Sequence, residues 1–419
     1  MKIVLKLMMS RFEVFLSVLR VCVIAVFSLS VFGKSVIVAL SFMGGYAVAQ
    51  QDGLSLGNFN VFPTLGLSYG YDDNVSYLFD ESRAISSNFF VFSPGLRVEA
   101  EGEKVSFFGQ YDYSRTAFNS DSRYNFDRQQ LLVKLGYFAS NRSRLEGSVE
   151  YINGSDRIGT GNQQGGLIDL NLDPDKWRSV GFGGKWHYGG VGAKGALDFG
   201  LGYIDRQYDN NAQFTATRNR QARYFGVTYS HKVSPKTGLL AQIKRTNIDY
   251  DVASLDNKET RFMFGVQWQA TGKTSARALV GYLTKDFDEA QHDDFSGLAI
   301  ETGLTWSPRS YSIFDLSLTR ETDETNGNGS YVLRNTVDLG WTHFWKDRFS
   351  TTANIGLSDE TYKGSLRSDS LNFYGVSAKY QFSDWLVSGL GYRYDNRSSS
   401  VNEFEYKNNS LLLTFELSK

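Results

Sequence analysis

The feature that most limits what this chain folds into is an alternation of apolar and polar or small residues with a period of two. In segment 262–268, for example, the sequence reads Phe262, Met263, Phe264, Gly265, Val266, Gln267, Trp268. Successive side chains of a β-strand point to opposite faces, so each such segment has one apolar face and one polar or small face. Beyond residue 54 there is no apolar run of roughly 18 residues, the length of a membrane-spanning helix, so this part of the chain contains no candidate for such a helix.

About eighteen such segments of about ten residues follow one another, and this is the length of a tilted strand that crosses a bilayer. Their approximate centres are residues 66, 95, 110, 133, 149, 183, 201, 226, 243, 265, 280, 301, 316, 339, 355, 377, 391 and 413. Short connections, such as 101–104 and 140–143, alternate with longer polar ones, such as 72–88 and 153–177. This asymmetry is typical of outer-membrane barrels, which have short periplasmic turns and long outer loops.

The sequence therefore predicts an all-β fold, a transmembrane antiparallel β-barrel of about 18 strands (16–18), with both termini in the periplasm. The last segment, 410–419, alternates Leu411, Leu413, Phe415 and Leu417 on one face, and we expect it to pair with the first strand. Such pairing leaves no strand edge exposed to lipid.

Aromatic residues support the same orientation. Six tryptophans lie beside the short turns: Trp186, Trp268, Trp306, Trp341, Trp345 and Trp385. Tyrosines such as Tyr69, Tyr71 and Tyr113 lie beside the long loops, as two interfacial girdles would require. A soluble sandwich of two sheets also alternates, but it gives no reason for aromatic residues to be sorted to strand ends.

The first 49 residues have the composition of a secretory signal peptide. Basic residues precede apolar stretches, and Ala47-Val48-Ala49 forms a cleavage site before Gln50. The alternative is a membrane anchor formed by 12–43. We expect three regions: a signal peptide at 1–49, a short periplasmic segment at 50–58 and the outer-membrane barrel at 59–419.

Removal of 1–49 also removes Cys22, the only cysteine, so the mature chain has no thiol chemistry or disulfide. It leaves 39 Lys+Arg against 44 Asp+Glu. This acidic balance argues against a nucleic-acid partner.

Nothing in the sequence indicates catalysis, a metal site or a cofactor. The four histidines, His187, His231, His292 and His343, are too scattered in a barrel of this kind to form a metal cluster or to share a catalytic base. We therefore expect no enzyme.

Charged residues on the face opposite the apolar one are expected to line the lumen, because an Arg or Lys that faces lipid at mid-membrane costs about 2–4 kcal/mol. The expected basic residues are Arg97, Arg128, Lys134, Arg144, Lys185, Lys244, Arg261, Arg277 and Arg393. The expected acidic residues are Glu99, Asp112, Glu146, Glu150, Asp198, Glu301, Asp315 and Asp338. Their near balance predicts weak ion selectivity or a wall braced by ion pairs, and ordinary solvation of the lumen is an equal alternative to a substrate track.

The first strand and its loop, 65–75, read LGLSYGYDDNV and contain Tyr71, Asp72, Asp73 and Asn74. This opening resembles that of the putative β-barrel porin 2 family, which includes the EpsL-type outer-membrane proteins of exopolysaccharide operons. The resemblance implies a barrel that helps an extracellular polysaccharide across the outer membrane.

The leading functional hypothesis is thus a channel or export component for exopolysaccharide. One alternative is a general diffusion porin for small hydrophilic solutes, and another is a structural or adhesive barrel that binds surface polysaccharide through its outer loops. The expected partners are outer-membrane lipid and lipopolysaccharide, with polysaccharide and periplasmic export proteins if the resemblance holds.

Overall fold

The alternating segments form strands that close into one cylinder. The computed structural model describes residues 53–165, 168 and 173–419, and these all belong to one compact unit that spans 47–419. The predicted signal peptide, with Cys22, lies outside the described residues.

Eighteen antiparallel strands of 13–16 residues form the barrel wall, and they coincide with the predicted segments. In chain order they are β2 Phe59–Asp72, β3 Ser87–Glu101, β4 Val105–Phe118, β5 Phe126–Ser140, β6 Ser143–Asp156, β7 Asp175–Tyr188, β8 Gly195–Tyr208, β9 Arg220–Ser234, β10 Thr237–Tyr250, β11 Asn257–Thr271, β12 Thr274–Phe287, β13 Phe295–Arg309, β14 Ser312–Glu324, β15 Tyr331–Lys346, β16 Phe349–Lys363, β17 Ser368–Ser383, β18 Leu386–Ser399 and β19 Tyr406–Ser418. Each strand pairs with the next in the chain.

The cylinder closes where β19 pairs with β2, from Ser410↔Asp72 to Ser418↔Thr64. The predicted closed antiparallel barrel of 18 strands is therefore confirmed. Both ends of the barrel sequence lie at the end with the short connections, which we call the turn end. The opposite end, with the longer connections, is called the loop end.

A short strand precedes the barrel and was not predicted. Strand β1, Leu54–Leu56, forms a hairpin with β2 and pairs with it from Leu54↔Val61 to Leu56↔Phe59. It takes the edge of β2 beyond the point where β19 ends.

Helical structure among the described residues is confined to the loop end. It includes one α-helical turn, α1 (Ala212–Thr215), and 3-10 turns at Glu81–Arg83, Ser122–Tyr124, Ala216–Arg218 and Asn402–Phe404. None of the helices in the described part of the chain is long and apolar enough to cross a membrane.

The two faces of the wall differ as the alternation requires. Large apolar side chains such as Leu201, Phe264, Val280 and Leu390 are exposed on the outside. Glycine takes the other face: of the 24 glycines in strands β2–β19, 20 point inward by the strand register. These inward glycines place no side chain in the lumen.

Two inward glycines allow a sharp crease between β11 and β12. Gly281 lies opposite Met263 and Gly265 lies opposite Leu279, so a large side chain meets a glycine in both pairs. The backbones approach so closely that a Cβ on Gly281 would lie 1.8 Å from the carbonyl oxygen of Phe262, and one on Gly265 would lie 1.9 Å from that of Ala278. Only glycine fits at either position.

A charge on the outer face should destabilise the barrel far more than one on the inner face. We expect Val280→Arg, at the centre of β12, to lower the free energy of unfolding by about 2–4 kcal/mol, because Val280 faces lipid. The matched control Ser377→Arg places the same charge on the inner face of β17 and should have little effect. Urea unfolding in lipid vesicles measures both, and equal destabilisation would contradict the assignment of the faces.

Candidate functional site

The charged residues expected in the lumen all lie on the inner face by the strand register. This face is opposite to exposed outer residues such as Leu96, Leu145, Trp186 and Leu390. The structure shows which of these residues lie close enough to interact.

Most of the basic residues in this set are neutralised by a carboxylate. The pairs, with the shortest nitrogen to oxygen distance, are Arg97–Glu99 (3.1 Å), Arg144–Glu146 (3.5 Å), Lys185–Asp198 (3.6 Å), Arg261–Glu259 (2.7 Å), Arg277–Glu301 (3.7 Å) and Arg393–Asp395 (2.6 Å). Much of the inner wall is therefore braced by ion pairs.

The remaining carboxylates of the set accept hydrogen bonds from neutral side chains. The donors are Gln110 to Asp112 (2.7 Å), Gln130 to Glu150 (2.6 Å), Thr305 to Asp315 (2.6 Å) and Ser317 to Asp338 (3.1 Å). Arg128 donates to Gln130 (3.3 Å) and so joins the same network.

Two lysines lie over aromatic rings on the inner wall. Lys134 Nζ is 5.9 Å from the ring centroid of Phe108, and Lys244 Nζ is 5.0 Å from that of Tyr224. A cation at this distance is attracted to the face of the ring. Phe108 and Tyr224 thus present covered faces, which reduces the aromatic surface on which a sugar ring stacks.

The partners Glu259 and Asp395 were not among the expected lumen residues, yet the sequence contains a signal for them. Residues i and i+2 of a strand share a face, so an arginine two positions from a carboxylate forms a pair along the strand. Glu259 with Arg261 and Arg393 with Asp395 follow this spacing. So do Arg367 and Asp369 at the loop end, 2.5 Å apart.

The motif at the end of the first strand binds the last strand. Asp72 accepts a hydrogen bond from Asn408 Nδ2 (2.5 Å), and Asp73 accepts from the backbone and the side chain of Asn409 (2.7 and 2.6 Å). Asn74 Nδ2 donates to the carbonyl of Lys407 (3.0 Å). Tyr71 lies on the outer face and is exposed. The acidic residues of the motif thus fasten the closure of the barrel at the loop end.

The connection between β6 and β7 lies over the lumen. We call its residues 157–165 the cross loop. At its start, Arg157 donates three hydrogen bonds to the first strand and the loop after it: to Asp72 (2.7 Å), to the Tyr77 hydroxyl (2.9 Å) and to the carbonyl of Val75 (3.0 Å). The Arg157 and Asp72 side chains are only 13% and 4% exposed, so this ion pair is shielded from water.

The rest of the cross loop contacts other connections at the loop end. Asn162 donates to the carbonyl of Phe214 between β8 and β9 (2.9 Å). Gln164 Oε1 accepts from Arg367 (3.0 Å), after β16, and from Arg397 (2.9 Å), on β18. Gly327, between β14 and β15, lies against Asn162, since a Cβ there would be 2.8 Å from Asn162 Oδ1.

These contacts take the cross loop from one side of the barrel to the other. The β14–β15 connection is eight strands away from the β6–β7 connection in one direction and ten in the other, so the two lie almost opposite each other. A segment that touches both passes over the lumen. The loop end of the barrel is therefore obstructed by an ordered segment held by polar contacts.

Burial changes the pKa values of Tyr77 and Arg157, the two loop side chains that bind each other at the start of the cross loop. It raises the pKa of the Tyr77 hydroxyl well above its ordinary value, so the phenol stays neutral. Burial by itself lowers the pKa of Arg157, but the charge of the Asp72 carboxylate and its hydrogen bond to Arg157 oppose this, and the net shift is upward. Arg157 therefore carries its charge throughout the physiological pH range.

Three histidines have a polar partner within hydrogen-bond distance. On the outer face, His231 Nδ1 is 3.2 Å from the Tyr229 hydroxyl. His187 Nδ1 is 2.9 Å from Asp198 on the inner wall, and His292 Nδ1 is 2.8 Å from Ser330 Oγ at the loop end. The Ser330 contact was not predicted, because the two residues lie in different connections. Among the described residues no carboxylate binds the other ring nitrogen of His292, which faces Gln291. The pair therefore lacks the third group of a catalytic triad.

Solved structures of low sequence identity have a similar course of the chain. They include the FrpB iron transporter (F3-3 variant) of Neisseria meningitidis, with 10% identity, a TM-score of 0.47, and coverage of 83% of this chain but only 63% of FrpB. A BenF-like porin from Pseudomonas fluorescens Pf-5 has 10% identity and a TM-score of 0.49, with 86% and 99% covered. OccK2 (OpdF) of Pseudomonas aeruginosa, solved in complex with glucuronate, has 11% identity and a TM-score of 0.48, with 86% and 98% covered.

No curated protein matches the sequence. The family model described as putative beta-barrel porin 2 matches residues 48–419, which is the entire barrel with its short leading strand. Together with the closed barrel and its fastened first strand, this match identifies the chain as a member of the putative β-barrel porin 2 family.

Proposed function

We propose that this porin-family barrel is a gated outer-membrane conduit through which an exopolysaccharide leaves the periplasm. In this proposal the turn end faces the periplasm and the loop end faces the cell surface. The observation that supports this proposal is the composition of the inner wall. It combines inward glycines with ion pairs, in each of which the opposite charges cancel.

Such a wall suits a long hydrophilic chain that has to keep moving. Transport requires binding that is strong enough to admit the cargo and weak enough to release it. Paired charges such as Arg97–Glu99 and Arg144–Glu146 leave little fixed net charge to hold a cargo at one place. Inward glycines such as Gly181, Gly200 and Gly226 add a flat surface between the pairs. Many weak contacts then replace one tight site.

The obstructed loop end supports a gate rather than a permanently open pore. A barrel of 16–18 strands encloses an aqueous channel when nothing fills it. Here the cross loop passes over that channel, and every contact that holds it is non-covalent. This is the reason why we favour gated export over general diffusion of small solutes.

The proposal is tested by blocking the lumen without unfolding the barrel. A Cβ on Gly200, on the inner face of β8, would meet no atom within 4 Å, and the same holds for Gly147 on the outer face of β6. We expect Gly200→Trp to reduce the amount of polysaccharide at the cell surface and to trap polymer in the periplasm. The matched control Gly147→Trp places the same side chain in lipid and should leave secretion unchanged. Normal secretion by a strain that lacks the protein altogether would refute the proposal.

The obstructed loop end also favours a second candidate, a structural or adhesive barrel that conducts nothing. The two functions differ when the cross loop is released. An export conduit then becomes a conducting channel in planar bilayers, whereas a structural barrel whose lumen is filled by side chains stays silent.

A further inference from the structure

The wall of the barrel is not continuous at the loop end. The ladder between β13 and β14 ends at Ile300↔Arg320, and no residue of 295–299 pairs with β14. Strand β13 nevertheless pairs with β12 as far as Phe295, and β14 pairs with β15 as far as Glu324. The two strands therefore separate at the loop end, over the first five residues of β13 and the last four of β14.

Beyond this point β14 lies inside the wall. Thr322 and Glu324 share the strand face of Leu316 and Leu318, which faces outward in the paired part of β14. Yet Thr322 donates to Glu259 (2.5 Å), and Glu324 accepts from Lys285 (2.5 Å). Glu259 and Lys285 are inner-face residues of β11 and β12, so the outer face of β14 here packs on the inner face of strands that are two and three places away in the sheet.

Strand β15 follows β14 inward. The ring of Tyr331 lies 5.9 Å from that of Phe287 and 5.8 Å from that of Phe295, and Tyr331 is buried. An apolar patch on the inner wall is buried in the same region, formed by Leu240, Met263, Leu279, Leu283 and Ala299. At the loop end, β14 and the start of β15 thus lie inside β11, β12 and β13, and this narrows the opening of the lumen.

Arg320 occupies the point where the strands part. Its Nε donates to the carbonyl of Leu298 (3.1 Å), and its Nη1 donates to Asn335 (2.6 Å). The carbonyl of Leu298 lies just beyond the last ladder pair, so the arginine supplies a donor to an acceptor that β14 has left. In the separated state, the carbonyl of Leu298 therefore still has a hydrogen-bond donor.

We propose that residues 321–334 form a flap that swings outward to complete the β13–β14 ladder and so widens the loop end. Continuing the register beyond Ile300↔Arg320 pairs Leu298 with Thr322 and Ser296 with Glu324. The outward state lengthens the circumference of the barrel. The flap also contacts the cross loop through Gly327 and Asn162, so its movement removes a support of that loop. The device belongs to the wall and operates whatever the cargo is.

The two states are distinguished by a disulfide that only the outward state allows. The described barrel contains no cysteine, so the double variant Leu298→Cys, Thr322→Cys introduces a single possible bond. Directly opposite residues of paired strands have the Cα separation that a disulfide needs. The matched control is Thr302→Cys with Leu318→Cys, a pair that is already opposite in the ladder.

Both variants would be reconstituted as full barrels, checked for heat-modifiable mobility on gels, and oxidised. We expect both bonds to form, as seen by mass spectrometry of the linked peptides. Only the 298–322 bond should raise the single-channel conductance, by about twofold or more since ion flow follows the width of the pore, and dithiothreitol should reverse the rise. Failure of the 298–322 bond to form when the control bond forms would overturn the proposal, and so would a formed bond that leaves the conductance unchanged. Neither result depends on polysaccharide, so the export proposal stands or falls separately.

Discussion

Gly281→Val is expected to prevent the barrel from folding. The added Cβ would lie 1.8 Å from the carbonyl oxygen of Phe262 and 2.7 Å from the Cα of Met263. Both are backbone atoms of the paired strand, so relief requires β11 and β12 to separate and their ladder to break. The loss should exceed the roughly 4–5 kcal/mol that marks an exceptional single substitution.

Heat-modifiable mobility of the refolded protein measures this effect, since the closed barrel migrates differently from the unfolded chain. Gly200→Val is the matched control, because it adds the same side chain to an inward glycine with no atom within 4 Å. Valine has a higher strand propensity than glycine, so propensity alone predicts no loss of stability at either position. Equal folded fractions of the two variants would show that the crease is not a requirement of the fold.

Arg157→Ala is expected to release the cross loop and open the loop end. The substitution removes three hydrogen bonds and leaves the Asp72 carboxylate buried without its cation. Removal of one partner of a buried ion pair costs about 3–5 kcal/mol. The closed arrangement should lose most of its advantage, and the conductance in planar bilayers should rise.

The control for this prediction is Arg178→Ala. Arg178 pairs with Asp209 at 2.9 Å at the same end of the barrel, but their side chains are 55% and 36% exposed. An exposed pair contributes about 0–1 kcal/mol, so conductance should stay at the native level. In Arg157→Ala with Asp72→Asn, the carboxylate that lost its cation becomes a neutral amide, and part of the closure should return. If the Arg157→Ala barrel does not conduct, the cross loop is held in place without the hydrogen bonds of Arg157.

The barrel was predictable because its signal is local and repeated. Period two fixes which face of each strand is apolar, and short connections make successive strands neighbours. The segments centred near 243, 265 and 280 accordingly became β10, β11 and β12. The family resemblance, which rested on Tyr71 to Asn74, is confirmed by a match that extends over the entire barrel.

The obstruction of the lumen was not predictable in the same way. Arg157 binds residues about 80 positions earlier in the chain, and Gln164 binds Arg367 and Arg397, more than 200 positions later. Residues 157–165 have no periodicity, and single-sequence patterns contain no information about such distant partners. The closed loop end therefore appears only when the cylinder brings the connections together.

The flap left a trace in the sequence that the alternation alone did not reveal. Leu316 and Leu318 are apolar on the outer face of β14, but Arg320, Thr322 and Glu324 continue that face with polar residues. Polar residues at a strand end also occur where a strand leaves the membrane, so the pattern fits two structures. The contacts of Thr322 and Glu324 with inner-wall residues decide between them.

The small hairpin of β1 with β2 has a consequence for how the finished barrel meets other chains. Strand β19 pairs only as far as Thr64, and the next stretch of the β2 edge would otherwise offer free amide and carbonyl groups. Because Leu54–Leu56 occupies that edge from within the same polypeptide, a foreign strand finds no template there. The β1–β2 hairpin thereby prevents a strand of a neighbouring copy from pairing with β2 next to the closure of the barrel.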